Sequence, residues 1–188
     1  MKIFFYLYLF LFFISCQPIE KTESLIFDND QFSKFNILSN SIDIKLIFEK
    51  KISNPYIGHT LDISPSERII NWVNDNFRVI GNENKFEIRI IDASLTQTHF
   101  ENEDANNFDE KTNYKYELFY LVEFNLYENY GNLIASTIVE SNRSTTSGQY
   151  ISIEQKENII NDLVYQSLND LSKESQRLLI KYMGDYLV

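Results

Sequence analysis

The sequence predicts an α+β fold: a two-layer sandwich in which a four-stranded antiparallel or mixed sheet carries two helices packed on one face. Three observations predict it. Four segments alternate apolar and polar residues with the period of a strand. Two others open on a capping box and continue with apolar residues at helical spacing. Their order is strand, helix, three strands, helix, which lets one sheet bury a single face beneath both helices.

The first strand lies in residues 41–50, SIDIKLIFEK, where Ile42, Ile44, Leu46 and Phe48 share one side and Asp43 and Lys45 the other. A loop with Pro55, Gly58 and His59 follows. Ser64-Pro65-Ser66-Glu67 then supplies an N-cap hydroxyl, a proline where no N–H is needed, and a glutamate that can bond back to the cap. Ile69, Ile70, Val73 and Phe77 form the apolar face of a helix over residues 65–77, with Trp72 flanking the stripe and Gly81 closing the segment. In residues 85–95, Phe86, Ile88 and Ile90 alternate in one phase and Ile91, Ala93 and Leu95 in the other, which predicts a bulge near Ile91.

Residues 114–128 form the next strand, with Tyr116, Leu118, Tyr120, Val122, Phe124 and Leu126 on one face. The turn Asn129-Tyr130-Gly131-Asn132, whose glycine can take a positive φ, leads into a strand over 133–144. Ser152-Ile153-Glu154-Gln155 is the second capping box. It opens a helix or pair of helices with Ile160, Leu163, Val164, Leu168 and Leu171 as its stripe. Leu178, Leu179 and Tyr182 continue the stripe after a polar break at residues 172–175, and Gly184 marks the end.

Ahead of all this the chain begins MKIFFYLYLFLFFISCQ. After Lys2, residues 3–14 are without exception apolar or aromatic. As a helix they would be only about 18 Å long, short of the roughly 30 Å of a hydrocarbon core. The run therefore reads as the apolar region of an export signal. Phe13-Ile14-Ser15-Cys16 resembles the bacterial lipobox, in which two apolar residues and a small one precede an invariant cysteine; Phe13 stands where leucine is usual. The resemblance implies that Cys16 is the lipid-attachment residue: its thiol becomes a diacylglyceryl thioether, the chain is cut before it, and the new amino group can be acylated. Two or three acyl chains give lasting attachment where one does not. Gln17, where an aspartate would favour inner-membrane retention, fits a protein anchored on the periplasmic side of the outer membrane. The expected organisation is a lipoprotein signal peptide at 1–15, a tether at 16–34 and a single α+β domain at 35–188.

Cys16 is the only cysteine, so no disulfide forms within one chain. Without residues 1–15 the 188-residue chain keeps 173 (188 − 15), enough for one core. Of 17 basic and 27 acidic side chains only Lys2 is lost, leaving 16 − 27 = −11. Such acidity argues against nucleic acid as a partner.

Chemistry is sparse. Only His59 and His99 can serve as imidazole bases, and both read as loop or surface residues. Asp104, Asp109 and Glu110 sit in the acidic segment 101–111, which lacks the spacing of a calcium loop and reads as a solvated hairpin connection. Glu117 and Glu123 share a strand face roughly 20 Å apart, too far for a glycosidase pair. No phosphate loop, zinc set or cofactor motif occurs, so no catalytic residue, metal or cofactor is expected. The aromatic residues stand out. Tyr114, Tyr116, Tyr120, Tyr127 and Tyr130 are candidates for a sheet surface that binds lipid or protein, with an ordinary aromatic core as the alternative.

With the lipobox, the Trp-bearing helix, the strand trio and the C-terminal helix in place, the chain resembles small envelope lipoproteins of the LPS-assembly type. That resemblance implies a non-enzymatic, lipid-anchored α+β body that partners an outer-membrane β-barrel protein, with lipopolysaccharide or phospholipid as a possible ligand. It transfers no binding residue. Two other readings are an auxiliary lipoprotein of an ABC-type lipid transport system and a periplasmic enzyme.

Overall fold

Alternation and capping place the elements, and packing then decides where each one ends. The structure is a computed structural model that describes residues 27–101 and 112–188. In chain order they form β1 (Phe35–Ile37), β2 (Ser41–Leu46), α1 (Pro65–Asn76), β3 (Phe77–Val79), β4 (Lys85–Glu101), β5 (Thr112–Tyr127), β6 (Leu133–Gly148) and α2 (Ile153–Met183). The main sheet runs β2-β4-β5-β6. Strand β2 is parallel to β4 and the other pairings are antiparallel, so the sheet is mixed. Both helices cover one face, as the α+β reading requires.

The side chains of β5 decide which face that is. Tyr116, Leu118, Tyr120, Val122, Phe124 and Leu126 are all fully buried, the six residues expected from the alternation. On β4 the pairing slips between Ile90 and Asp92, which leaves Ile91 as the bulged residue. The slip returns Ala93 and Leu95 to the buried side used by Phe86, Ile88 and Ile90. Gly131 turns the β5–β6 hairpin at φ +90°.

Both capping boxes form. Glu67 accepts the Ser64 backbone N–H at 2.7 Å and Ser64 Oγ accepts the Glu67 N–H at 3.4 Å. Ser152 and Gln155 make the same exchange at 3.0 and 3.1 Å. The end of α1 differs from the expected one. The helix stops at Asn76, and Phe77 is instead the first residue of β3. Its buried face is Ile69, Trp72, Val73 and Asn76, so Trp72 lies at the centre of the stripe and not on its flank. Trp72 meets Phe77 edge-on at 5.2 Å and Phe35 at 6.3 Å, while Phe35 stacks on Phe77 at 4.4 Å.

Those rings join a small parallel pair, β1 with β3, that the sequence reading does not contain. The C-terminus closes over it: the Val188 N–H donates to the Asn36 carbonyl at 3.0 Å and Leu187 bridges Ile37. At the C-terminus, where one helix or a pair is expected, a single helix forms. Helix α2 is continuous from Ile153 to Met183, and Ser167, Ser172 and Ser175 are buried on its inner side. These small side chains let it lie close on the sheet, where Ser141 Oγ on β6 donates to the Ser167 carbonyl at 2.9 Å.

Two boundaries move. Strand β2 ends at Leu46, which is 50% exposed, although Phe48 beyond the strand still packs against the core. The stretch 27–34, expected to be tether, is packed on the helices. Phe27 sits edge-on to Tyr165 at 5.2 Å, Phe32 is buried, and Asn29 donates to Asp75 at 2.7 Å. Among the described residues no helix is long and apolar enough to cross a membrane.

Candidate functional site

Cys16 and the apolar run before it lie outside the described residues, as do Asp104, Asp109 and Glu110. Geometry therefore bears on the remaining candidates. The two histidines are not brought together. His59 sits in a short 3-10 turn, Gly58–Thr60, in a small hollow with Lys50, Lys51, Tyr56, Ser64 and Ser66. Its Nδ1 is buried without a hydrogen-bond partner. Two of the hydroxyls in that hollow are already committed: Ser64 Oγ donates to Glu67 at 2.7 Å and lies 3.2 Å from Ser66 Oγ. They serve the helix cap and are not arranged as nucleophiles.

His99 borders a different cleft of about 380 Å³, with Asn54, Pro55, Ile57, Gln97 and Thr98. Its ring lies 4.5 Å from that of Tyr114, tilted by 52°. The segment carrying Pro55 and Ile57 separates the two hollows. Among the described residues no three His, Cys, Asp or Glu side chains converge as a metal site.

The five tyrosines do not share a surface. Tyr116 and Tyr120 are in the core beneath the helices, Tyr114 and Tyr127 are partly buried, and Tyr130 projects from the hairpin turn. Alternation alone explains this: the even-numbered members of β5 face the helices. The ordinary aromatic core accounts for Tyr116 and Tyr120, and the five tyrosines do not line one sheet face.

The face of the sheet turned away from the helices is charged and internally paired. Lys45 on β2 contacts Glu87 on β4 at 2.5 Å, and Arg89 contacts Glu123 on β5 at 2.5 Å and Glu87 at 4.0 Å. Lys85 pairs with Asp43 at 3.1 Å, and Lys115 with Glu117 at 3.1 Å. The hydrogen bond to Glu87, reinforced by its charge, holds the Lys45 ammonium above the usual lysine range. Glu117 and Glu123 thus have separate basic partners. At one end of this face a cleft of about 600 Å³ is bordered by Asn40, Lys45, Lys85, Glu87, Tyr127 and Glu128. Lys45 is paired with Glu87 and Lys85 with Asp43, while Glu128 accepts from the Asn132 amide at 3.2 Å, which suits a solvated surface better than a site for one ion.

Sequence reading missed a different feature. From the end of β2 onward, Leu46, Ile47 and Ile52 are exposed beside Lys50 and Lys51, and Ile63 is exposed just before α1. Adjacent lysines among aliphatic residues in an acidic chain were the available signal. Assigning residues 41–50 to one strand concealed it.

No protein-family model matches the chain, and no curated protein sequence is similar to it. Solved structures similar to it include a minor lipoprotein from Acinetobacter baumannii, 10% identical, with 80% of this chain and 96% of that one covered at a TM-score of 0.41. Rare lipoprotein B from Shewanella oneidensis is 13% identical, with 76% and 98% covered at 0.40. A protein from Xanthomonas campestris is 10% identical, with 81% and 93% covered at 0.35. At such identities and TM-scores the likeness transfers neither a site residue nor an activity.

Proposed function

We propose that this chain is a lipid-anchored envelope lipoprotein that acts by binding a membrane partner, in the assembly of lipopolysaccharide at the outer membrane, and not by catalysis. One observation carries the proposal: a short apolar run ends in Phe13-Ile14-Ser15-Cys16, at the only cysteine in the chain. The main sheet and the helices support it: leaving aside the small β1–β3 pair, they run strand, helix, three strands, helix, the order on which the family resemblance rests. An anchor also favours partners held in the same membrane, by raising the body's local concentration there. The folded residues fit a binding role, because the serines beside His59 are engaged in capping and the sheet's charges are paired.

Mass spectrometry of the protein isolated from a bacterial envelope tests the anchor. The expected N-terminus is Cys16 carrying a diacylglyceryl increment, with residues 1–15 gone. An unmodified thiol, or a retained N-terminal peptide, sinks the proposal. Affinity capture from solubilised envelopes tests the partner, for which an outer-membrane β-barrel is expected.

A further inference from the structure

The anchor brings one end of the body to the lipid, and the folded chain determines which end. The described chain begins at Phe27, and the Arg68 guanidinium lies over the Phe27 ring, 3.9 Å from its centroid. Arg68 belongs to the start of α1, whose cap residues Ser64 and Ser66 share a hollow with Lys50 and Lys51. Cys16 precedes Phe27 by eleven positions (27 − 16), a reach of at most roughly 40 Å. The exposed segment at residues 46–52 and the point where the tether enters the fold both lie against the beginning of α1.

The chemistry of that segment fits a lipid surface. Leu46, Ile47 and Ile52 are exposed, and Ile52 is 77% accessible. Among the described residues neither Lys50 nor Lys51 belongs to an ion pair, whereas Lys45, Lys85 and Arg89 on the nearby sheet do. Lys51 donates to Tyr56 Oη at 3.0 Å and lies over the Tyr56 ring, so it is held in place without a direct ion pair, with Asp92 acting on it only at longer range. Glu49 offsets one of the two lysines, leaving this short stretch net positive in a chain of formal charge −10. An anionic leaflet would repel the rest of the body and attract this end. We infer that residues 46–52 dock on the anionic leaflet that holds the Cys16 anchor, with Ile52 and Ile47 entering the interface and Lys50 and Lys51 at headgroup level.

The inference rests on the anchored-lipoprotein reading, and the experiment separates the two. Acylation consumes the thiol of the only native cysteine, so an Ile52→Cys substitution in the acylated full chain gives a single site for an environment-sensitive thiol dye. Tyr130→Cys is the reference. Tyr130 is 95% exposed, and its turn adjoins the Lys85 end of β4, roughly 30 Å along the strand from the Leu95 level. Both proteins are reconstituted in vesicles of phosphatidylethanolamine and phosphatidylglycerol. The dye at position 52 should shift to the blue and be quenched by brominated acyl chains, while the dye at 130 does neither. Adding Lys50→Gln and Lys51→Gln should reduce the docking equilibrium about thirtyfold, at about fivefold per charge. Salt at 1 M should also weaken it.

An unshifted dye at 52 on protein that floats with the vesicles overturns the docking and leaves the anchor standing. Protein that fails to float and carries an unmodified Cys16 overturns the anchor, and the docking with it. Equal shifts at 52 and 130 overturn it as unoriented adsorption. A shift that requires another envelope protein assigns the segment to a protein partner and overturns the lipid surface.

Discussion

Tyr120 places its hydroxyl in the core with no hydrogen-bond partner. Burial pushes its phenol far above the ordinary value of 10.0, and the nearby Arg68 charge offsets this only in part. The folded-state value is the higher one, so this group's contribution to stability is intact below about pH 10 and is lost as pH rises toward the folded value. In that window stability should fall by about 1.4 kcal/mol per pH unit. Tyr120→Phe should remove that share of the alkaline decline. At neutral pH it should be neutral or slightly stabilising, because no bond is lost and an unpaired polar group is removed. Denaturant midpoints at pH 7 and pH 11 decide the matter, and a loss above about 2 kcal/mol at pH 7 would mean that the hydroxyl has a partner. Residues of this kind were legible in their direction and not in their surroundings. Alternation assigned Tyr120 to one face of β5, but only the packed helices show that face to be dry. Trp72 was misplaced for a related reason: Ile69, Ile70, Val73 and Phe77 define a stripe one step off the true one, because Phe77 belongs to a strand.

At the scale of elements the helix starts were the most legible features, since a capping box is complete within four residues. The two boxes differ in one testable respect. Glu67 is ionisable and Gln155 is not. Hydrogen bonds from the Ser64 hydroxyl, and then from its backbone, hold the Glu67 carboxyl below the usual range. A lowered folded-state value means stability that is present above the unfolded value and lost as pH falls through the folded one. Ser64→Ala and Ser152→Ala should each cost about 1 kcal/mol at pH 7. Well below the glutamate range of about 4.3, the cost of Ser64→Ala should shrink while that of Ser152→Ala stays constant. Chemical denaturation across that range measures both, and parallel pH profiles would refute the distinction. Elements that depend on distant partners were less legible. Strands β1 and β3, three residues each, are too short to display a period and exist because Phe35 and Phe77 stack. Buried serines in α2 look like a break in sequence, yet they are what a close helix–sheet contact needs. Gly81 was read as a helix terminator, but a side chain there would meet the backbone of Leu38 and Ser39 at 2.8 Å.

Across the whole molecule protection should follow sheet order. Strand β5 is paired on both sides and covered by the helices, so its amides should exchange with solvent only on global unfolding. Strand β6 is an edge, and its amides pointing away from β5 should exchange far faster than those paired to it. Hydrogen exchange followed by NMR tests this ranking, and uniform protection along β6 would indicate a further strand on that edge. The fold class, the sheet's buried face and both helix starts were legible because they repeat or are local. The lysine–isoleucine segment was not, because only tertiary structure tells an exposed aliphatic residue from a core one. The docked stretch before β1 has a mechanical consequence. Phe27, Asn29 and Phe32 are attached one after another along the helices, so tension on the tether loads these contacts singly, as in peeling. Strand β1 is instead held on both sides, by β3 and by the C-terminal residues, and resists as a unit. Pulling would therefore release residues 27–34 first and add roughly 25–30 Å of slack before the body is strained, so that a body anchored as proposed would have two reaches above its membrane, one short and one long.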